Sequence, residues 1–196
     1  MSRLVKHYSS CKTAFFCCDI QEKLVPLVAN FDNCAFVANR FAALHTALGP
    51  AHSLYVVAEQ YPKGLGPTAA GIQLPTDAHV FPKLQSPMLV PEVTALVDVP
   101  EVEQVVLWGA ETHVCVLQTA AALLELNKKV AIALDGCGSQ KEGDHRTAIQ
   151  LLQSWSRDGC YVSTSESILM QLLQDAGDPL FKTVAPIMKQ KHPKPF

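Results

Sequence analysis

At 196 residues the chain has the length of a single domain with a sizeable core, and its 48% hydrophobic content argues against disorder away from the ends. A net charge of -2 provides no basic excess to replace counterions, so nucleic acid is not an expected partner, and no apolar run approaches the length of a membrane span. The seven cysteines are odd in number, lack CxxC spacing and follow no secretory leader, so they read as reduced thiols of an intracellular protein.

Residues 1–11 read as an N-terminal arm. Arg3, Lys6, Ser9, Ser10 and Lys12, with no acid among the first dozen residues, mildly resemble a mitochondrial presequence. The cytoplasm is the expected compartment, with mitochondrial association as the alternative. Thr13–Cys18 is an apolar run that predicts the first strand, ending at Asp19 with Gln21 two residues on. Asp32 or Asn33 caps a helix through about Leu48, with Phe36, Val37, Phe41, Leu44 and Leu48 on one face, and Gly49-Pro50 ends it. Ser53–Ala58 predicts the second strand, followed by the turn-rich stretch Glu59–Pro67. His79–Pro82 reads as a short third strand with Lys83 just past its end, and Pro91 opens a short helix through Leu96.

Val105–Trp108 is the fourth strand, Gly109-Ala110 a sharp corner, and Val114–Leu126 a helix with Thr112 as its N-cap. Lys129–Leu134 predicts the fifth strand, Asp135–Ser139 a loop, and Asp144–Arg157 a helix. Cys160–Ser163 is the sixth strand, and Ser165 caps a last helix through about Leu173. Residues 12–176 thus form one domain, and residues 177–196 read as a weakly held tail rich in Pro and Lys.

Strands alternating with helices predict an α/β fold with a parallel sheet covered on both faces, and ligands of such sheets bind beyond the carboxyl ends of the strands. Three polar residues stand at those ends: Asp19, Lys83 and Cys115. A Rossmann-like strand order 3-2-1-4-5-6 would bring Asp19 and Cys115 to one crevice. If Thr112 caps, Cys115 lies in the first helical turn, where backbone N–H groups and the helix dipole suit a thiolate. A cysteine nucleophile needs a base, which a desolvated carboxylate supplies; a lysine keeps charge balance; and the backbone N–H groups of Glu111 and Cys115 are placed to hold an oxyanion. Taken singly, Asp19 also reads as a cap, Lys83 as a surface charge and Cys115 as a small core residue.

Across about residues 12–175 the chain resembles the isochorismatase-like cysteine hydrolases. The likeness is carried by Asp19-Ile20-Gln21, by Lys83, and by Gly109-Ala110-Glu111-Thr112-His113-Val114-Cys115-Val116 with Thr119-Ala120. The resemblance implies a three-layer α/β/α sandwich around a six-stranded parallel sheet, with Asp19 as base, Lys83 as electrostatic partner and Cys115 as nucleophile. It also implies a cis peptide between Ala110 and Glu111, and self-association into a homo-oligomer. Relatives that bind zinc carry an Asp-x-His motif after the second strand. Here Glu59-Gln60-Tyr61-Pro62 stands there, so no metal and no cofactor are expected. Retention of Cys115 points to acyl chemistry on a small amide or related C–N compound, and the loop around Gln60 resembles that of the isochorismatase-domain-containing proteins.

Gln21, Gln60, Tyr61, Trp108 and His113 are the candidate substrate contacts, with Trp108 and His113 reading equally as packing residues. Cys137 is a minor rival nucleophile. His145 and Arg146 read as serving solvent or an interface. Two other functions fit the same fold: a non-catalytic interaction protein, and a ribonuclease, a label that some relatives with mitochondrial association carry.

Overall fold

The structure, a computed structural model, describes residues 5–195. Six strands, β1 (Lys12–Cys18), β2 (Ser53–Gln60), β3 (His79–Lys83), β4 (Val102–Ala110), β5 (Lys129–Gly138) and β6 (Cys160–Ser163), form one sheet. Every pairing is parallel and the order is β3-β2-β1-β4-β5-β6, as the sequence leads one to expect. The helices are α1 (Phe31–Leu48), the single turn α2 (Pro62–Leu65), α3 (Pro91–Val97), α4 (Leu117–Glu125), α5 (Glu142–Ser154), α6 (Ser165–Leu173) and α7 (Phe181–Met188). α1 packs with α6 and α7 in one layer, and α4 packs with α5 in the other. None of the described helices is long and apolar enough to cross a membrane.

The two central strands are apolar without alternation because both their faces are covered. Thr13 through Cys18 of β1 and Val105 through Trp108 of β4 are all fully buried. Trp108 packs between Phe41 and Tyr55, with ring centroids 4.9 and 5.8 Å away, and Phe15 stacks on Phe41 at 5.3 Å.

Four local expectations are corrected. β5 runs on through Gly138 where a loop was expected, pairing Cys137 with Gly109 and Gly138 with Ala110. Its glycines serve close packing and not a turn: a Cβ on Gly136 would lie 2.7 Å from Val37, and one on Gly138 would lie 2.6 Å from Val28. Thr112 does not cap; a wide π-type turn, Thr112–Val116, precedes α4, and the Thr112 hydroxyl donates to the Gly138 carbonyl at 3.0 Å. Thr164, not Ser165, caps α6 by accepting from the Ser167 amide. The C-terminal segment, finally, is not weakly held. Val184 and Ile187 of α7 are buried, Gln190 accepts from Arg40 at 3.0 Å, and Lys194 exchanges hydrogen bonds with Asn33.

The N-terminal arm is likewise packed from Val5 onward, with the Val5 amide on Gln171, the Lys6 amide on Gln104 and the Tyr8 amide on Leu172. Arg3, the first cation of the presequence-like pattern, lies outside the described residues.

Candidate active site

The site is assembled where four neighbouring strands, β3, β2, β1 and β4, end. Cys18 pairs with Ala58 of β2 on one side and Gly109 of β4 on the other, so Asp19 emerges between them. Asp19 itself takes a left-handed conformation, φ 50°, a bend that aspartate tolerates better than most residues. Gly109 lets the strands approach: its φ is 132°, and a Cβ there would fall 2.0 Å from the Cys18 carbonyl oxygen. Lys83 ends the adjoining β3, and the π-type turn after β4 carries Cys115. The Ala110–Glu111 peptide bond is cis.

These placements put the three groups in mutual contact. Lys83 Nζ lies 2.7 Å from Asp19 Oδ2 and 3.5 Å from Cys115 Sγ. All three side chains are buried, Cys115 being 7% exposed and Asp19 only 1%. Burial pushes the Asp19 carboxyl above the ordinary carboxylate range, with the Lys83 charge holding that rise in check. For Lys83, burial pulls downward but is outweighed by neighbouring Cys18, Asp19 and Cys115, which hold the ammonium above its usual value. The ammonium also donates to Gln60 Oε1 at 2.7 Å and to the Ser86 carbonyl at 2.9 Å. Asp19 Oδ1, by contrast, is buried with no hydrogen-bond partner among the described residues.

Asp19 and Cys115 form part of the wall of a cavity of about 280 Å³. Leu24, Leu65, Ala110 and Val114 make its apolar wall, and Gln60, Glu111 and Gln140 its polar one. A larger hollow of about 760 Å³ opens at the opposite end of the sheet beside Lys12, His52 and Glu101, where the strands begin. The carboxyl ends are where parallel sheets bind ligands, which counts against that hollow.

The expected substrate contacts divide. Gln60 lines the cavity and bonds Lys83. Trp108 does not: it is wholly inside the core, two residues short of the end of β4. Gln21 is fully buried too, and its amide bridges Gln60 and the Gly66 carbonyl, which ties the loop after β2 to the end of β1. Tyr61 is 52% exposed and lies over Gly64, away from the cavity wall. His113 turns to Ser139 Oγ at 3.1 Å and Glu111 Oε2 at 3.5 Å. Cys137 is fully buried and its thiol is pushed up to about 12 by that burial, which counts against it as a rival nucleophile. His145, read as serving solvent or an interface, instead meets the Thr112 hydroxyl at 3.0 Å.

Sequence reasoning overlooked Leu24, Leu65, Gln140 and the Glu111 side chain. Gln140 follows the end of β5 and is reachable by the strand-end rule once β5 is known to extend to Gly138. Thr119 is a support one turn into α4: it donates to the Cys115 carbonyl at 2.6 Å and accepts from the Met88 amide at 2.9 Å, pinning the cysteine turn to the segment after β3. Glu59, at the position of the metal motif in zinc-binding relatives, accepts from both the amide and the hydroxyl of Thr68.

Comparison with known proteins gives a consistent picture. A family model described as the isochorismatase domain matches residues 13–167. Isochorismatase domain-containing protein 1 of Danio rerio is 39% identical over 187 residues, covering 95% of this chain. The chain spans 64% of that relative's length. A hypothetical protein from Trypanosoma cruzi, of known structure, is 74% identical with a TM-score of 0.99, each chain covered completely. A MAR1 ribonuclease from Caenorhabditis elegans is 28% identical with a TM-score of 0.86, over 97% of this chain and 95% of that one.

Proposed function

Because this chain belongs to the isochorismatase family, we propose that it is a hydrolase acting, without a metal, on a small amide or related acyl C–N compound. Cys115 is the nucleophile, Asp19 the base and Lys83 the electrostatic partner. The observation that carries this reading is the buried contact of Lys83 Nζ with both Asp19 Oδ2 and Cys115 Sγ beside a cavity sized for a small molecule.

The chemistry follows from the groups. Asp19 Oδ1 is free to take the thiol proton, and a carboxylate raised by burial is a better proton acceptor than one in water. The sulfur then bonds the acyl carbon, and the carbonyl electrons move to oxygen, facing the N–H groups of Glu111 and Cys115. Collapse breaks the C–N bond, the amine leaves with the proton held by Asp19, and a thioester remains. Water, deprotonated by the same carboxylate, cleaves the thioester and restores the thiol.

The test is a screen of small uncharged amides with purified protein, followed by the variants Cys115→Ser and Asp19→Asn on any hydrolysed compound. Each is expected to lower kcat/KM by about a hundredfold or more. A turnover that Cys115→Ser leaves intact overturns the assignment.

The name of the C. elegans relative favours a second reading, ribonuclease. The net charge of -2 weighs against it. Cleavage of RNA that Asp19→Asn abolishes would support it; cleavage that survives the change arises elsewhere. Self-association belongs to the same proposal, supported by Val80, Tyr61 and Leu84, which are 42%, 52% and 78% exposed along the β3 edge. Sedimentation velocity should find more than one copy per particle, and a monomer at micromolar concentration would remove that part.

A further inference from the structure

The charges around the cavity bear on which molecules reach Cys115. No cationic residue forms part of its wall among the described residues. The nearest cation, Lys83, stands behind that wall with its ammonium already engaged by Asp19, Gln60 and the Ser86 carbonyl. A carboxylate entering the cavity therefore finds no cationic side chain on the wall to pair with. Asp19 is balanced by Lys83, so the acid it meets is Glu111 on the wall, whose side chain is only 17% exposed. Gln140 Nε2 donates to Glu111 Oε1 and fixes that carboxylate in place. His113 faces its other oxygen from outside the cavity, together with Asp144 at 3.9 Å from the ring.

We propose that the Glu111–Gln140 pair is a charge-selective gate, which admits uncharged or cationic acyl compounds to Cys115 and turns carboxylates away. This rests on the reading of Cys115 as the reacting thiol and narrows its substrate class. The volume of about 280 Å³ is a second limit. It is roughly twice that of the ~150 Å³ cavity that encloses benzene, room for a single ring or a short branched chain against Leu24, Leu65 and Val114, with any longer part of the compound reaching out through the open mouth. The polar end of the substrate, an amide nitrogen with hydrogens to donate, matches an acceptor such as the Glu111 carboxylate.

Iodoacetamide and iodoacetate test the gate without a known substrate, because they differ little in shape and by one charge. Each reacts the same way: the sulfur bonds carbon, the C–I bond breaks, iodide departs and the thiol proton passes to the base. Their rates at Cys115 are read by peptide mass spectrometry at about pH 8, and the ratio is compared with that for N-acetylcysteinamide. The ratio at Cys115 should favour iodoacetamide by about tenfold more than at the free thiol, and added salt should shrink that excess. Glu111→Gln should lower the excess about threefold or more, and so should Gln140→Lys, an exposed change that spares the fold.

Ready labelling of Cys115 with the ratio of the free thiol overturns the gate alone. An excess that neither variant moves, or that salt does not touch, also overturns it, since shape would then be the cause. Failure of both reagents to label Cys115 as fast as the free thiol overturns the nucleophile reading, and the gate with it.

Discussion

Lys83 and Asp19 form an ion pair with side chains 1% and 2% exposed, so neither charge has water to fall back on. Removing one partner from such a pair is costly, and removing both costs far less. Lys83→Met is therefore expected to lower stability by about 3 kcal/mol, and Lys83→Met with Asp19→Asn to recover most of it. Urea unfolding of the singles and the double reads the coupling directly; additive losses would mean that the two charges do not depend on each other. The same burial explains which site residues were legible in the sequence. Asp19, Lys83 and Cys115 stand at or beyond the ends of apolar strands, where a parallel sheet must turn polar groups toward a crevice. Trp108 reads equally as pocket or core because an apolar run covered on both faces carries no mark of where the core stops, and Gln21 is buried by backbone groups of the loop after β2 that no local pattern announces. The backbone of Glu111 was legible, but its side chain and Gln140 carry no mark in the sequence, and the extension of β5 to Gly138 brings the two together.

Among the elements, the least foreseeable is the clasp that fixes the C-terminal segment. Asp135, fully buried in β5, accepts from the amide and hydroxyl of Ser165 and lies 3.1 Å from His192 Nε2. Arg40 donates to the same Ser165 hydroxyl at 2.8 Å and to the Gln190 carbonyl at 3.0 Å, with Phe36 beneath its guanidinium. Pro and Lys content made the segment look loose, because its anchors are polar groups hidden inside α1 and β5. Asp135→Ala should cost about 3 kcal/mol, since it leaves the Ser165 amide and hydroxyl without their acceptor and the buried Arg40 without the negative charge beside it. Hydrogen exchange at residues 188–194 should rise in the same variant. Retained protection there would show that α7 holds the segment alone. The strands, by contrast, were readable from composition, because β-branched and aromatic runs bounded by turn residues have few other uses.

For the molecule as a whole, the buried thiols set a limit at alkaline pH. Burial holds Cys137 and Cys160 near 12 and raises Cys17, Cys18 and Cys34 as well, against an ordinary value of 9.0. The unfolded chain gives up these protons from about pH 9 while the folded chain keeps them, so their contribution to stability is full below that point and fades as pH climbs toward 12. Between about pH 8 and pH 10 each such thiol should withdraw roughly 1 kcal/mol. Urea midpoints at the two values, with Cys137→Ala and Cys160→Ala introduced together, check this: the drop should be smaller in the variant, and an unchanged drop would assign it to other groups.

The clasp has a further consequence, in the order of events during synthesis. Asn33 and Arg40 find their partners at Lys194 and Gln190, 161 and 150 residues later in the chain. A chain that emerges at about 5–20 residues per second exposes α1 for roughly 8 to 30 seconds before those carbonyls arrive. During that interval the inner face of α1 holds a guanidinium and an amide short of their final acceptors. The helix that forms early is therefore finished late, and a nascent chain stalled before Gln190 should be a better client for chaperones than its nearly complete sheet would suggest.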